Sequence, residues 1–179
     1  MAIRSAVLPR SHPEFLSGEH KKQLDDLELR LISIQQHGRF TATINLEDNQ
    51  AVRVAELYRL AGLVYLHRAG RRSRLGFPPT ETALRRAYSI IEQLESCECV
   101  WPLFIVGCEA RSDEHRLLIL QKLSNVLQIR NTSNTRSIKA MIEASWKQAD
   151  LCEEESQEPD YVLKINALIS ANKVLPIFM

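Results

Sequence analysis

At 179 residues, 45% hydrophobic and 25% charged, with six glycines and seven prolines, the chain is sized for one globular domain with its own core, which excludes wholesale disorder. A formal net charge of +1 gives no global pull toward nucleic acid or a membrane surface. The first residues, MAIRSAVLPRSHPEF, lack the apolar stretch of a signal peptide, and the longest uncharged apolar run, residues 99–108, is far short of a membrane span, so a soluble intracellular protein is expected.

Residues 1–13 read as a flexible N-terminal segment and residues 14–179 as one helical domain. A first helix is expected over 14–37, with Leu24, Leu27, Leu31 and Ile34 along its apolar face and Glu19, Lys22, Asp25 and Glu28 mostly on the other. The TATINL stretch at 41–46 reads as a short extended piece. A second helix over 48–68 is apolar around most of its circumference, with one polar strip of Arg53, Glu56 and Arg59, which marks it as central to the fold. Gly70 stands where a C-terminal cap belongs.

After the basic loop RRSRLGFPP, Pro78, Pro79 and Thr80 look like a helix start. Ala83, Leu84, Ala87, Ile90, Ile91 and Leu94 then repeat at helical spacing. The apolar segment 101–110 accepts Pro102 only in a first helical turn, where its missing N–H has no intrahelical partner anyway. Ser112 is a good N-cap with Asp113 and Glu114 in the first turn, and that helix runs on through Leu120, Leu123 and Leu127. RNTSNT, 130–135, reads as a loop. A helix carrying Ile138, Met141, Ile142 and Trp146 follows, then an acidic exposed loop at 150–160. A last helix over 160–172 shows Tyr161, Val162, Ile165, Leu168 and Ile169 on one face. The apolar tail VLPIFM is expected to dock on the core. The pattern is all-α: an antiparallel array of about six or seven helices in a single domain.

Two stretches are more specific than their periodicity. AELYRLAGLVYLHR, 55–68, and WPLFIVGCEARSDEHRLLIL, 101–120, in this order and with a helix between them, resemble the C-terminal half of the fungal-specific transcription factor domain found in zinc-cluster (Zn2Cys6) factors. Trp146, inside a helix after a polar loop, is also like that family. The resemblance runs from about Leu24 to the C-terminus and covers part of a complete family domain. It implies a helical regulatory region that modulates transcription and is nuclear in its full-length relatives. Trp101, Pro102, Phe104, Gly107 and Glu109 are the residues that match the family motif. Relatives carry an N-terminal binuclear zinc cluster of six cysteines, and four scattered cysteines cannot substitute for it, so no DNA reading by this chain is expected.

The cysteines are Cys97, Cys99, Cys108 and Cys152; they form no CxxC pair, and no zinc or other cofactor is expected. The CxC at Cys97 and Cys99 has the donors for a soft metal, but we read it as a reduced pair near a helix end. Arg68, Arg71, Arg72 and Arg74, joined by Arg85 and Arg86, are the densest positive cluster and the candidate contact for an anion or an acidic partner. Trp101 and Phe104 either line an effector pocket or, as we read them, belong to the core. Trp101 is expected to fill the space between the Ile90/Leu94 face and the helix of Tyr58 and Tyr65. Glu109 is either at a helix end facing water or buried with a partner such as an arginine. No HExxH, GxSxG, Walker or GxGxxG motif is present, and no catalytic residue is assigned.

The function read from the sequence is a non-enzymatic regulatory module that acts through a protein partner or a small effector, with homo- or hetero-oligomers open to it and no membrane contact. Its expected location is the nucleus by resemblance, otherwise the cytoplasm. The alternative is a standalone helical protein recruited from this scaffold for ligand binding or catalysis in fungal secondary metabolism.

Overall fold

The structure, a computed structural model, describes residues 7–15, 17–40, 50–70, 80–95, 97–151 and 160–171. Among these residues the fold is an all-α single domain of seven helices: α1 Gly18–Phe40, α2 Gln50–Gly70, α3 Thr80–Gln93, α4 Val100–Cys108, α5 Asp113–Ile129, α6 Ser133–Leu151 and α7 Tyr161–Ser170. None of them is long and apolar enough to cross a membrane. The expected extended piece at 41–46, the helix start at Pro78 and Pro79, and the VLPIFM tail lie outside the described residues.

Local chemistry sets where the helices begin. Before α1 the chain turns on itself, with Phe15 N–H bonded to His12 O and Ser17 N–H to Glu14 O at 2.9 Å each. Ser17 then caps the helix, its Oγ accepting from His20 N–H at 3.1 Å. The helix therefore starts four residues later than its apolar period suggests. Val7, in the segment read as flexible, is buried in the core, and Arg10 N–H meets the Asp160 carboxylate. Pro102 stands in the first turn of α4, whose first backbone bond is Leu103 N–H to Cys99 O at 3.0 Å. Ser112 caps α5 as its sequence indicates.

The RNTSNT loop is shorter than expected, because Thr132 caps α6 by accepting from Thr135 N–H at 3.2 Å. Thr and Ser offer the same hydroxyl to a turn and to a helix start, so composition alone does not separate the two. At the flanks of the expected acidic loop, Asp150 and Leu151 are still helical and Asp160 caps α7 by accepting from Val162 N–H at 2.9 Å, while residues 152–159 lie outside the described residues.

Two helices organise the packing. α2 contacts α1, α3, α4 and α7, while α4 contacts α2, α3, α5 and α6. Every residue of α4 from Pro102 to Cys108 is buried, as an all-apolar helix requires. The α3 face read from the sequence, Ala83, Leu84, Ala87, Ile90, Ile91 and Leu94, is wholly buried. Other faces are rotated from their reading. Glu28 of α1 is buried and Ile34 is exposed; on α5 the buried line is Ile119, Leu123 and Val126. Gly70 is not a left-handed cap: it ends α2 in close contact with Leu24, whose Cδ1 would meet an added Cβ at 3.1 Å.

Gly107 is the tightest helix contact. A Cβ there would lie 2.8 Å from Ile142 Cδ1 and 3.3 Å from Ile119 Cγ2. Gly107→Ala gains about 1 kcal/mol of helix propensity but overpacks the α4–α6 contact at a cost of about 1–3 kcal/mol. We expect a net loss of about 1 kcal/mol in urea unfolding. Ile142→Val deletes the clashing methyl, so the double variant should lose less than the two single losses added together. Strictly additive losses would refute the steric account.

Candidate functional site

α4 ends inside the protein, where a tightened last turn bonds Glu109 N–H to Val106 O at 3.2 Å and Ala110 N–H to Gly107 O at 3.1 Å. Three neighbouring helices supply side chains to that end. Tyr88 of α3 donates its hydroxyl to Val106 O at 3.1 Å. Trp146 of α6 donates its indole N–H to Gly107 O at 2.7 Å. Arg68 of α2 donates from Nε to Glu109 Oε2 at 2.8 Å, and its Nη2 lies 2.8 Å from the same oxygen.

Glu109 is the residue read from the sequence as either facing water or buried with an arginine. It is buried, 7% exposed, with Arg68 as that arginine. It is also the C-cap of α4, where the helix dipole already concentrates negative charge. The guanidinium thus answers both a carboxylate and a helix end. Arg68 is 27% exposed on its side chain, so the cation keeps water contact that the carboxylate lacks, and Glu81 of α3 lies 3.8 Å from it.

One residue earlier on α2, His67 Nε2 lies 2.9 Å from Glu28 Oε1 of α1, with both side chains buried. At the other end of α2, the expected polar strip is half covered. Arg59 is buried and donates to both carboxylate oxygens of Glu56, at 2.6 and 2.8 Å, and Arg86 of α3 approaches the same carboxylate at 3.0 Å.

Beside these charges runs a line of aromatic rings. Tyr58 stacks on Trp101 with centroids 6.3 Å apart, Tyr65 meets Trp101 edge-on at 6.4 Å, and Tyr65 meets Tyr161 edge-on at 5.8 Å. The Tyr161 hydroxyl is buried and without a hydrogen-bond partner. Burial first, and then the nearby Glu109 charge, push its pKa well above the ordinary phenol value, while Arg68 pulls the other way. Between α5 and α6, Arg116 sits 5.4 Å over the Trp146 ring and clamps Asp150 with bonds of 3.0 and 2.6 Å. Hydrogen bonding to Arg116 holds the Asp150 carboxyl below the usual carboxylate range.

The arrangement is that of a braced core. Ser112 Oγ lies 3.0 Å from His115 Nδ1, the distance of a nucleophile and its base. That hydroxyl, however, is occupied in capping α5, and the imidazole stacks on Tyr88 with centroids 3.8 Å apart.

Of the arginine cluster read from the sequence, Arg68 is joined to Glu109 and Arg86 to Glu56. Arg71, Arg72 and Arg74 lie outside the described residues. Of the family-motif residues, Pro102, Phe104, Gly107 and Glu109 are buried on α4 or at its end. Trp101 is half-buried at its start, against Tyr58 and Tyr65. Sequence reasoning placed Tyr161 on the inward face but missed its unpartnered hydroxyl, the burial of Glu28 and the indole bond of Trp146. For Glu28 a signal was present: it falls four residues after Leu24 and three before Leu31, on the inward line.

Comparison with known proteins gives a consistent result. The fungal-specific transcription factor domain matches residues 6–166. The transcription factor iacI of Pestalotiopsis fici is 30% identical over 125 residues, which is 69% of this chain and 32% of that protein. The chain therefore spans about a third of this relative's length. No solved structure matches the chain.

The two halves of the buried pair should not be equivalent. Arg68→Ala strands a buried carboxylate at a helix C-terminus and is expected to cost about 3 kcal/mol. Glu109→Gln keeps an acceptor for Arg68 and leaves no buried ion, at about 1 kcal/mol. Urea unfolding of both variants checks this, and equal losses would contradict it. By the same measurement, Trp146→Ala should cost roughly 3–5 kcal/mol, and the half-buried Trp101→Ala clearly less. The reverse order would make Trp101 the anchor of the core.

Proposed function

Because the chain belongs to the fungal-specific transcription factor domain family, we propose that it is a non-enzymatic regulatory module that modulates transcription through a protein partner or a small effector, without contacting DNA itself. The observation that carries this reading is the family match over residues 6–166, which takes in all the helices up to most of α7. The relative iacI is named a transcription factor, which points the same way. A nuclear location follows from the same kinship.

Two features of the chain support leaving DNA contact to other elements. Its net charge is +1, too little to gather a phosphate backbone. Its cysteines are four, with Cys97, Cys99 and Cys108 buried in or beside α4, whereas the family's DNA-reading cluster uses six. Partner or effector recognition then falls to surfaces around the braced core.

Tethering tests this directly. Fused to an unrelated DNA-binding domain in a fungal host, the chain should raise or lower a reporter driven from that domain's site. The untethered chain should give no sequence-selective shift in polarisation titrations at physiological salt. A well-expressed fusion that leaves the reporter unchanged would remove the regulatory reading. Selective, salt-resistant binding by the chain alone would remove the division of labour.

A further inference from the structure

The connector from α3 to α4 carries chemistry that the regulatory reading does not use. It holds Cys97 and Cys99, both buried and both free thiols, on either side of Glu98. The chain bends sharply here. Val100 N–H bonds to Glu98 O at 2.9 Å, and Cys99, at φ −78° and ψ 74°, is the central residue of an inverse γ-turn. Cys99 is also the residue before the first turn of α4, and its side chain makes no capping bond there. The second free thiol, that of Cys97, stands buried two residues away in the same connector.

The surroundings favour a reactive sulfur at one position of the pair. Lys122 of α5 donates to the carbonyls of Glu92 and Leu94 at the end of α3, which places its ammonium near Cys97. The Cys97 hydrogen bond lowers the Cys99 pKa, against burial and the Glu98 charge, while the same bond and burial raise that of Cys97. Cys108, nine residues on and the last residue of α4, stands as a contrast: burial pushes its thiol up to about 12. Of the paired thiols, Cys99 is the more accessible, 6% exposed against 1% for Cys97.

We propose that Cys97 and Cys99 form a peroxide-oxidisable dithiol that closes to a disulfide across Glu98 at the junction of α3 and α4. In the first step the Cys99 sulfur attacks one oxygen of hydrogen peroxide. An S–O bond forms, the O–O bond breaks, and the leaving hydroxide takes up a proton to become water. In the second step the Cys97 sulfur attacks the Cys99 sulfenic acid. The S–S bond forms, the S–O bond breaks, and hydroxide leaves with the Cys97 proton as a second water. The two sulfurs supply the two electrons that reduce the peroxide.

The closed form should be felt in α4. Trp101 lies two residues beyond Cys99 and rests on Tyr58, whose pKa is raised first by burial and then by Cys99 and Cys97. Drawing the two sulfurs to bonding distance moves the start of α4 and with it the Trp101 contact.

The experiment treats the full chain with hydrogen peroxide, blocks free thiols with an alkylating reagent, and digests without reductant at glutamates. Cleavage after Glu95, Glu98 and Glu109 separates the peptide of Cys97 from that of Cys99 and Cys108. The expected result is that these peptides stay joined and lose two hydrogen masses, with Cys108 alkylated after unfolding. The Cys108→Ala chain should give the same link. Cys97→Ser should abolish the link and leave Cys99 as a sulfenic acid trapped by dimedone, and Cys99→Ser should slow oxidation of Cys97 by about tenfold or more. Tryptophan emission should shift on oxidation in the parent and not in Cys97→Ser. Separate, alkylated peptides after peroxide treatment would overturn the proposal. So would a link to Cys108, or Cys99 carried on to a sulfinic acid with Cys97 present.

Discussion

A nine-residue helix that is apolar on every side has no face to offer to water, and α4 imposes that condition on the rest of the chain. It is covered by α2, α3, α5 and α6, so these four helices must surround one short rod. Apolar cover alone would strand the Glu109 carboxylate at the end of α4 in the interior, even though Val106 O and Gly107 O keep backbone bonds to Glu109 N–H and Ala110 N–H. Tyr88, Trp146 and Arg68 reach that end from three different helices, so the same side chains that bond to the helix end also fix where α3, α6 and α2 stand around it. Gly107 completes the joint by letting α6 approach α4 closely enough for the indole to reach its carbonyl.

Much of this frame was legible in the sequence because it follows from local rules. The apolar period of α3, the Ser112 cap and the first-turn place of Pro102 each depend on a few neighbouring residues, and each appears as read. What was not legible depends on partners far along the chain. Glu28 falls on the inward line of α1, but what lets a carboxylate stay there shows only once His67, 39 residues later, is placed beside it. The two fates open to Glu109 could be separated only once Arg68 stood opposite. The loop at 130–135 failed for a different reason: Thr132 is a cap, and the residues that cap helices are those that fill loops.

α2 shows why buried charges persist in a core that apolar residues would fill more cheaply. Nearly every position from Leu57 to Leu66 is buried, so apolar packing hardly distinguishes one rotation of this helix from another. His67 and Arg68 do distinguish them. Adjacent on the helix and about 100° apart around it, they engage Glu28 of α1 and Glu109 of α4. Sliding or turning α2 by one residue would break both contacts and strand two buried carboxylates. That penalty is paid only by the wrong arrangement, which is how ionic groups specify a structure without adding much to its net stability.

The same commitment bears on how a regulatory signal enters. Arg68 belongs to the basic cluster that the sequence offers for an anion or an acidic partner, yet its guanidinium is engaged by Glu109 at 2.8 Å. An effector carboxylate that took the Nε and Nη2 edge of Arg68 would have to displace Glu109, leaving that side chain buried at the negative end of α4 with no cation beside it. An anion at this position therefore competes with the fold rather than adding to it. A ligand that does bind there would do so by loosening the joint between α2 and α4. A partner that reads the fold intact must instead use residues whose charges are not spent on α4, such as the exposed Arg85 of α3.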